Sequence, residues 1–317
     1  MNAIGGYFEL ELRRGEELHA NAIKLNTGRN AFKYILLANS YSKVYIPFYT
    51  CEVMLEPIEE MAINYEFYSV DSNLEPIFNF DLLKENEAFL YTNYFGLKDK
   101  YLKKLKNTVD NLIVDNAQAF FSLPLEGAHT FYSPRKFFGV SDGAYLYTDK
   151  LINNQLEIDY SFERLEHLMR RIENNAEDGY YYYTRNEIFL SNQPMLQMSN
   201  LTCKILQSLD YTEISNRRRY NFLFMKESLK DINLLDFELH ESQVPMTYPF
   251  LSNNSFLRNI LANYKIYTAR YWENVLKWVG KDSIEYRYTS SIVHLPIDQR
   301  YNISDLERIV KIVRNEN

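Results

Sequence analysis

Short apolar runs alternate with helix-period stretches along the first half of the chain. The apolar run 112–114 and the aromatic- or β-branched-bearing segments 43–47, 64–71 and 129–132 predict strands; 88–96 predicts a strand and its turn. A further strand starts at Ala144, after Ser141-Asp142-Gly143. Between these runs, 29–37, 51–61 and 98–105 have helical character, the last with a basic outer face. Strands alternating with helices at these intervals predict an α/β fold, a mostly parallel sheet wound on both sides. Its ligands lie at the strands' carboxyl ends. Ahead of this unit, Tyr7-Phe8-Glu9-Leu10-Glu11-Leu12 alternates apolar and acidic residues and predicts a half-buried strand.

After Thr148 the character changes. Residues 151–177 read as a charged helical stretch with a solvated face, and 178–185 as a glycine-led, tyrosine-dense loop. From Pro194 to Lys230 the chain predicts long helices, with Met198, Leu201, Ile205, Leu206 and Leu209 near helical spacing. Such a helix commonly links a large domain to a small one. The expected boundary lies near Ser215, giving a large α/β domain over 1–214 and a small α+β domain over 215–317. The tail mixes apolar segments at 244–250, 272–278 and 291–296 with a helix near 255–264. A last helix opens at Ile303 with Ser304 as its cap.

Composition narrows the class. At 317 residues, 46% hydrophobic and 24% charged, the chain is an ordinary globular protein. Aromatic residues reach 15%, with 27 Tyr and 20 Phe, which fits wide interfaces and an amphipathic pocket, or equally the base composition of a genome. A formal charge of −7 argues against nucleic-acid binding. Cys51 and Cys203 offer neither a disulfide framework nor metal spacing, and the five histidines form no ligand pair. Residues 1–6 lack the basic start and apolar core of a signal peptide, and no run approaches the length of a membrane span. A soluble cytoplasmic protein is expected.

The chemistry concentrates in residues 112–148. Asp115 ends an apolar strand, and Ser133-Pro134-Arg135-Lys136 follows the next one. An acid, a hydroxyl and an amine at neighbouring strand ends suit pyridoxal phosphate. A carboxylate keeps its ring nitrogen protonated, a lysine holds its aldehyde as an imine, and hydroxyls and helix-start amides hold its phosphate. On this reading Asp115 meets the ring nitrogen, Lys136 the aldehyde and Ser133 the phosphate. Thr27-Gly28 opens a helix and offers amides to a phosphate. After the strand at 43–47 an aromatic would stack on the ring; Phe48, Tyr49 and Cys51 are the alternatives, and Tyr49 is preferred. Asn93 also falls at a strand end. Taken singly, an acid after a strand is usually a turn residue or a cap, and most lysines are solvated. The joint spacing carries the case.

From Leu25 to Val313 the chain resembles the DegT/StrS-like nucleotide-sugar aminotransferases, fold-type I pyridoxal-phosphate enzymes. Ile113-Val114-Asp115-Asn116-Ala117-Gln118-Ala119 is similar to the family's acid-x-Ala-Gln segment, which implies that Gln118 sits near the ring hydroxyl. Ser133 to Lys136 with Asp142-Gly143-Ala144 resembles the lysine segment. Thr27-Gly28-Arg29-Asn30-Ala31 resembles the phosphate-binding turn, which adds Arg29 to the candidates. Leu295-Pro296-Ile297 and Asp305-Leu306 resemble the closing strand and helix. Two departures stand out: the serine lies three residues before the lysine rather than five, and the family's Asn-Tyr-Arg loop appears as Tyr183-Thr184-Arg185. The resemblance implies a homodimer that moves an amino group from glutamate or glutamine to a keto group of a nucleotide-linked sugar, as in polysaccharide biosynthesis. Two alternatives stay open: another fold-type I reaction, of lyase or desulfurase type, and a non-catalytic member that binds a sugar nucleotide.

Overall fold

The computed structural model describes residues 4–191 and 193–317. Residues 1–3, part of the segment expected to lack a targeting signal, lie outside it. The strands are β1 (Ile23–Leu25), β2 (Lys43–Pro47), β3 (Asn64–Val70), β4 (Pro76–Ile77), β5 (Glu87–Thr92), β6 (Leu112–Asn116), β7 (His129–Tyr132), β8 (Ala144–Tyr147), β9 (Tyr248–Leu251) and β10 (Ile292–Leu295). The helices are α1 (Gly28–Ala38), α2 (Leu55–Glu60), α3 (Asp99–Lys106), α4 (Glu166–Glu173), α5 (Ala176–Ser191), α6 (Asn200–Gln207), α7 (Tyr211–Leu229), α8 (Leu257–Asn263), α9 (Val275–Trp278), α10 (Ile284–Ser291) and α11 (Ile303–Glu316).

One eight-stranded sheet runs β1-β8-β7-β6-β5-β2-β3-β4. The inner pairs β7–β6, β6–β5, β5–β2 and β2–β3 are parallel, and β8 runs against β7 and β1. The strands are apolar on both sides because both faces are covered, as parallel sheets require. Val44 and Ile46, Ala88 and Leu90, and Ile113 pack with Phe32, Ile35 and Leu36 of α1. Their alternates Tyr45, Phe89, Tyr91, Leu112 and Val114 face the other way. There they share a core with Phe222, Met225 and Leu229 of α7, with β9 and β10, and with Leu306 and Ile309 of α11. The two-stranded β9–β10 sheet is antiparallel. Ser215 falls inside α7, whose later residues join that shared core.

Several expectations need correction. Residues 7–12 form no strand; Tyr7 and Phe8 are 99% and 90% exposed, because nothing among the described residues takes up their apolar face. The tyrosine-dense segment at 178–185 is helix α5, not a loop, and the helix expected across 151–177 is confined to α4 and the start of α5. The last helix is capped by Asn302, whose side chain accepts the Asp305 amide while Asp305 accepts the Asn302 amide, rather than by Ser304.

Candidate functional site

The parallel strands carry the candidate residues to one edge. Asp115 is the fourth residue of β6, the Pro134–Lys136 turn follows β7, Cys51 follows β2, and Thr27-Gly28 follows β1. Asp115 is 7% exposed, and its Oδ1 accepts the Ala117 amide at 2.8 Å. Burial pushes its carboxyl above the usual range, while the charge of Lys136 and the Ala117 amide pull it back. Lys136 is thus within Coulombic reach of Asp115. The lysine is exposed in the single chain, and its Nζ stands 5.7 Å from the centre of the Tyr271 ring, a cation–π contact. Both charges also act on the half-buried Cys51 thiol: burial pushes it up, Lys136 pulls it down, and Asp115 adds to the rise.

Gln118 is 1% exposed. Its Oε1 accepts the Phe95 amide at 3.1 Å, but its Nε2 has no partner, an arrangement that costs free energy unless a ligand or water fills it. Thr27 caps α1: its Oγ1 accepts the Asn30 amide at 3.1 Å and its carbonyl accepts that of Ala31 at 3.0 Å. The Gly28 and Arg29 amides have no acceptor within the helix. A Cβ on Gly28 would lie 3.9 Å from Phe131 of β7, and the Asn26 carbonyl accepts the Gly143 amide at 2.6 Å, so the cap of α1 lies against both ends of the lysine segment. That segment is itself held tightly. Gly143 has φ +121° and a Cβ there would meet Pro134 Cγ at 3.0 Å, while the Asp142 carboxylate holds Ser199, the N-cap of α6, accepting its amide and hydroxyl, each at 2.8 Å. Ser133 is half-buried at the start of the lysine turn and makes no capping bond there.

Three expected contacts do not form. Tyr49 is 1% exposed and locked in the core, its ring stacked 5.4 Å from Tyr94 and edge-on 4.6 Å from Trp272. Phe48 stacks on Phe67 instead, and Cys51, the third candidate of this turn, is half-buried. Asn93 is fully engaged: its Nδ2 donates to Asp99 Oδ1 at 2.7 Å and Asn116 Oδ1 at 3.0 Å, and its Oδ1 accepts the Lys98 amide at 3.0 Å. The Arg29 side chain leaves the site to pair with Glu56 and to donate to the Leu190 carbonyl at 2.6 Å. Only its backbone amide stays at the turn.

Lys136 opens into a cavity of about 470 Å³ shared with Arg218, Tyr271, His294, Asp298 and Arg300. His294 packs 4.5 Å from Tyr271, and burial lowers its pKa to about 3. Arg218 is 2% exposed; it donates from Nε to Gln299 at 2.9 Å and from Nη1 to the Met246 carbonyl at 3.0 Å, with its guanidinium 4.6 Å over Phe137. Burial lowers its pKa to about 10. None of these residues has a local sequence signal. They reach Lys136 only because the tail folds back over the sheet edge.

No protein-family model matches this chain, and no relative is found among curated proteins. Solved structures do match. The sugar aminotransferase CalS13 from Micromonospora echinospora is 15% identical over 94% of this chain and 88% of its own, with a TM-score of 0.60. The chain has the sugar aminotransferase fold. The aminotransferase TlmJ from Streptoalloteichus hindustanus superposes on it with a TM-score of 0.61 at 15% identity, over 93% of this chain and 85% of that one. NtdA from Bacillus subtilis, solved with its cofactor PMP bound, gives 0.60 at 15% identity over 93% and 72%. At this identity what is shared with the sugar aminotransferases is the fold, and activity has to be argued from the site.

Proposed function

We propose that the protein is a pyridoxal-phosphate-dependent aminotransferase acting on a sugar. The observation that carries this reading is that Asp115, at the end of β6, and Lys136, in the turn after the adjacent parallel β7, stand at one carboxyl edge of a sheet with this fold. The residues present fit the cofactor: a buried acid, an unpartnered buried donor on Gln118, and a helix start whose first amides have no acceptor within the helix. When bound, pyridoxal phosphate supplies an electron sink for a carbanion at the substrate carbon. Asp115 would hold the proton on the ring nitrogen, and Gln118 Nε2 would donate to the ring hydroxyl. Thr27, Ser133 and the Gly28 and Arg29 amides would hold the phosphate. Lys136 Nζ would hold the aldehyde and carry the proton at the reacting carbon.

The finer reading has glutamate or glutamine as donor and a nucleotide-linked keto sugar as acceptor. It is supported by the charge of the cavity beside Lys136. Six basic residues (Lys136, Arg171, Arg218, Lys265, Arg300, Arg308) face three acidic ones (Glu177, Asp298, Asp305), in a chain whose net charge is −7. A homodimer in the cytoplasm belongs to the same reading.

The test is incubation with pyridoxal phosphate, α-15N-labelled glutamate or glutamine, and a panel of nucleotide-linked keto sugars. The label is expected in a product amino sugar, and not with Lys136→Ala. Sulfide released from cysteine, with no label transferred, would favour the lyase or desulfurase chemistry instead.

A further inference from the structure

We infer that Arg218, with Gln299 as its partner, is a positioning residue for Lys136: it holds the peptide that follows the lysine and so sets where the amine stands. The inference rests on the proposed function and adds to it a residue of α7. Arg218 is buried, yet all of its hydrogen bonds go to neutral acceptors. Its Nη2 donates to the Phe137 carbonyl at 3.4 Å and its guanidinium lies 4.6 Å over the Phe137 ring, so the residue after Lys136 is held at backbone and side chain together. Gln299 closes a triangle: its Oε1 accepts from Arg218 Nε at 2.9 Å, and its Nε2 donates to the same Phe137 carbonyl at 3.0 Å. Gln299 is placed in turn by Asn221, one turn along α7, whose Nδ2 donates to the Ile297 carbonyl at 3.1 Å.

The lysine turn closes on itself only through its amides: those of Phe137 and Phe138 both donate to the Pro134 carbonyl at 2.9 Å. The Phe137 carbonyl, by contrast, has its donors on α7 and the tail. Burying a cation among neutral acceptors costs free energy that an apolar side chain would avoid, so packing alone gives no reason for an arginine here. A planar fork that spans three carbonyls and a side-chain amide does, because it fixes angles that a lysine would leave loose. Misplacing a reacting atom by about 1 Å can cost on the order of a hundredfold in rate. The clamp also holds the Met246 carbonyl, and the Met246 amide donates to the Phe95 carbonyl at 2.9 Å. A shift of the tail is thereby passed to Lys136 rather than absorbed.

The experiment mixes the full chain, freed of cofactor, with increasing pyridoxal phosphate. It follows the visible band that appears as Lys136 Nζ bonds to the aldehyde carbon and water leaves. The variants are Gln299→Leu and Arg218→Lys, each confirmed as folded by circular dichroism. Arg219→Lys is the control: on the same helix, Arg219 Nη1 donates to the His240 carbonyl at 2.7 Å, outside the Lys136 cavity. In Gln299→Leu and Arg218→Lys the limiting rate of band formation at saturating cofactor is expected to fall about tenfold, with the half-saturating concentration unchanged because Asp115 and the phosphate contacts stay in place. Arg219→Lys should match the unaltered protein in both. Should Arg218→Lys fail to fold, Gln299→Leu decides. Three results overturn the inference while sparing the proposed function: an unchanged limiting rate in folded Gln299→Leu, a change confined to the half-saturating concentration, or an equal slowing in Arg219→Lys. Absence of any band in the unaltered protein removes both.

Discussion

Asp115 sets function against stability. Its pKa is raised by burial, so the folded state prefers the neutral acid. The stability it contributes is complete below the ordinary carboxyl range and is lost as pH rises through the raised value. Wherever the group is ionised it weakens the fold, and the proposed contact with a ring nitrogen would give a reason to keep an acid here. Asp115→Asn should raise the melting temperature at pH 7 by about 1–3 °C, on the order of 1 kcal/mol for a chain of this size, while cofactor binding weakens. Thermal scans with and without pyridoxal phosphate check both halves. Two of the buried histidines, His19 and His294, act most strongly in the opposite sense. His19, bonded to the Phe120 carbonyl at 2.8 Å, is lowered to about 4 by burial, and His294 to about 3. A depressed histidine contributes stability that is present above its ordinary pKa and lost as pH falls below it. Each ring should cost roughly 2 kcal/mol at pH 5 relative to pH 7. Urea titrations at the two values should show His294→Asn losing roughly its own 2 kcal/mol of the pH dependence. At this scale the meeting of Asp115 and Lys136 at one sheet edge was legible because their order along the chain follows the strand ends. Tyr49 misled because ring chemistry alone does not say whether an aromatic faces a ligand or the core, and Asn93 because a polar residue at a strand end serves a turn as readily as a site.

At the scale of elements, β2, β6 and β7 follow the apolar runs closely, since a strand buried on both faces leaves a continuous signal. The misread segments are those whose local pattern is overruled by a neighbour. Gly179 and four consecutive tyrosines suggested a loop, yet Gly179 lies inside α5 where it crosses α4. A Cβ there would stand 2.7 Å from the His167 carbonyl oxygen. The glycine permits the helices to touch rather than ending one. Gly179→Ala, which would favour a helix by propensity, should instead destabilise the protein by about 1–3 kcal/mol through that clash. A gain in the urea midpoint would contradict the crossing. Residues 7–12 fail for the converse reason: alternation provides a strand with a face, but a strand also needs an edge to pair with, and β1 at the sheet's end is only three residues long.

For the whole molecule, one core joins the sheet to α7, β9, β10 and α11, and this brings the tail's Tyr271 and His294 to Lys136. No helix among the described residues is long and apolar enough to cross a membrane. The α4–α5 hairpin leaves Ile172, Tyr180 and Tyr181 at least 65% exposed, next to the cavity residues Arg171 and Ala176. Covering that face would also shelter an exposed Lys136, which supports the homodimer proposed above. Light scattering should give twice the 37.8 kDa chain mass, and Tyr181→Glu should shift it toward one. The claim beneath all of this is that one lysine holds the cofactor. Borohydride reduction of the pyridoxal-phosphate-loaded protein, followed by peptide mapping, reads that out directly. The account predicts a phosphopyridoxyl group on Lys136, greatly reduced in Asp115→Asn; a group fixed on any other lysine, or on none, would contradict it.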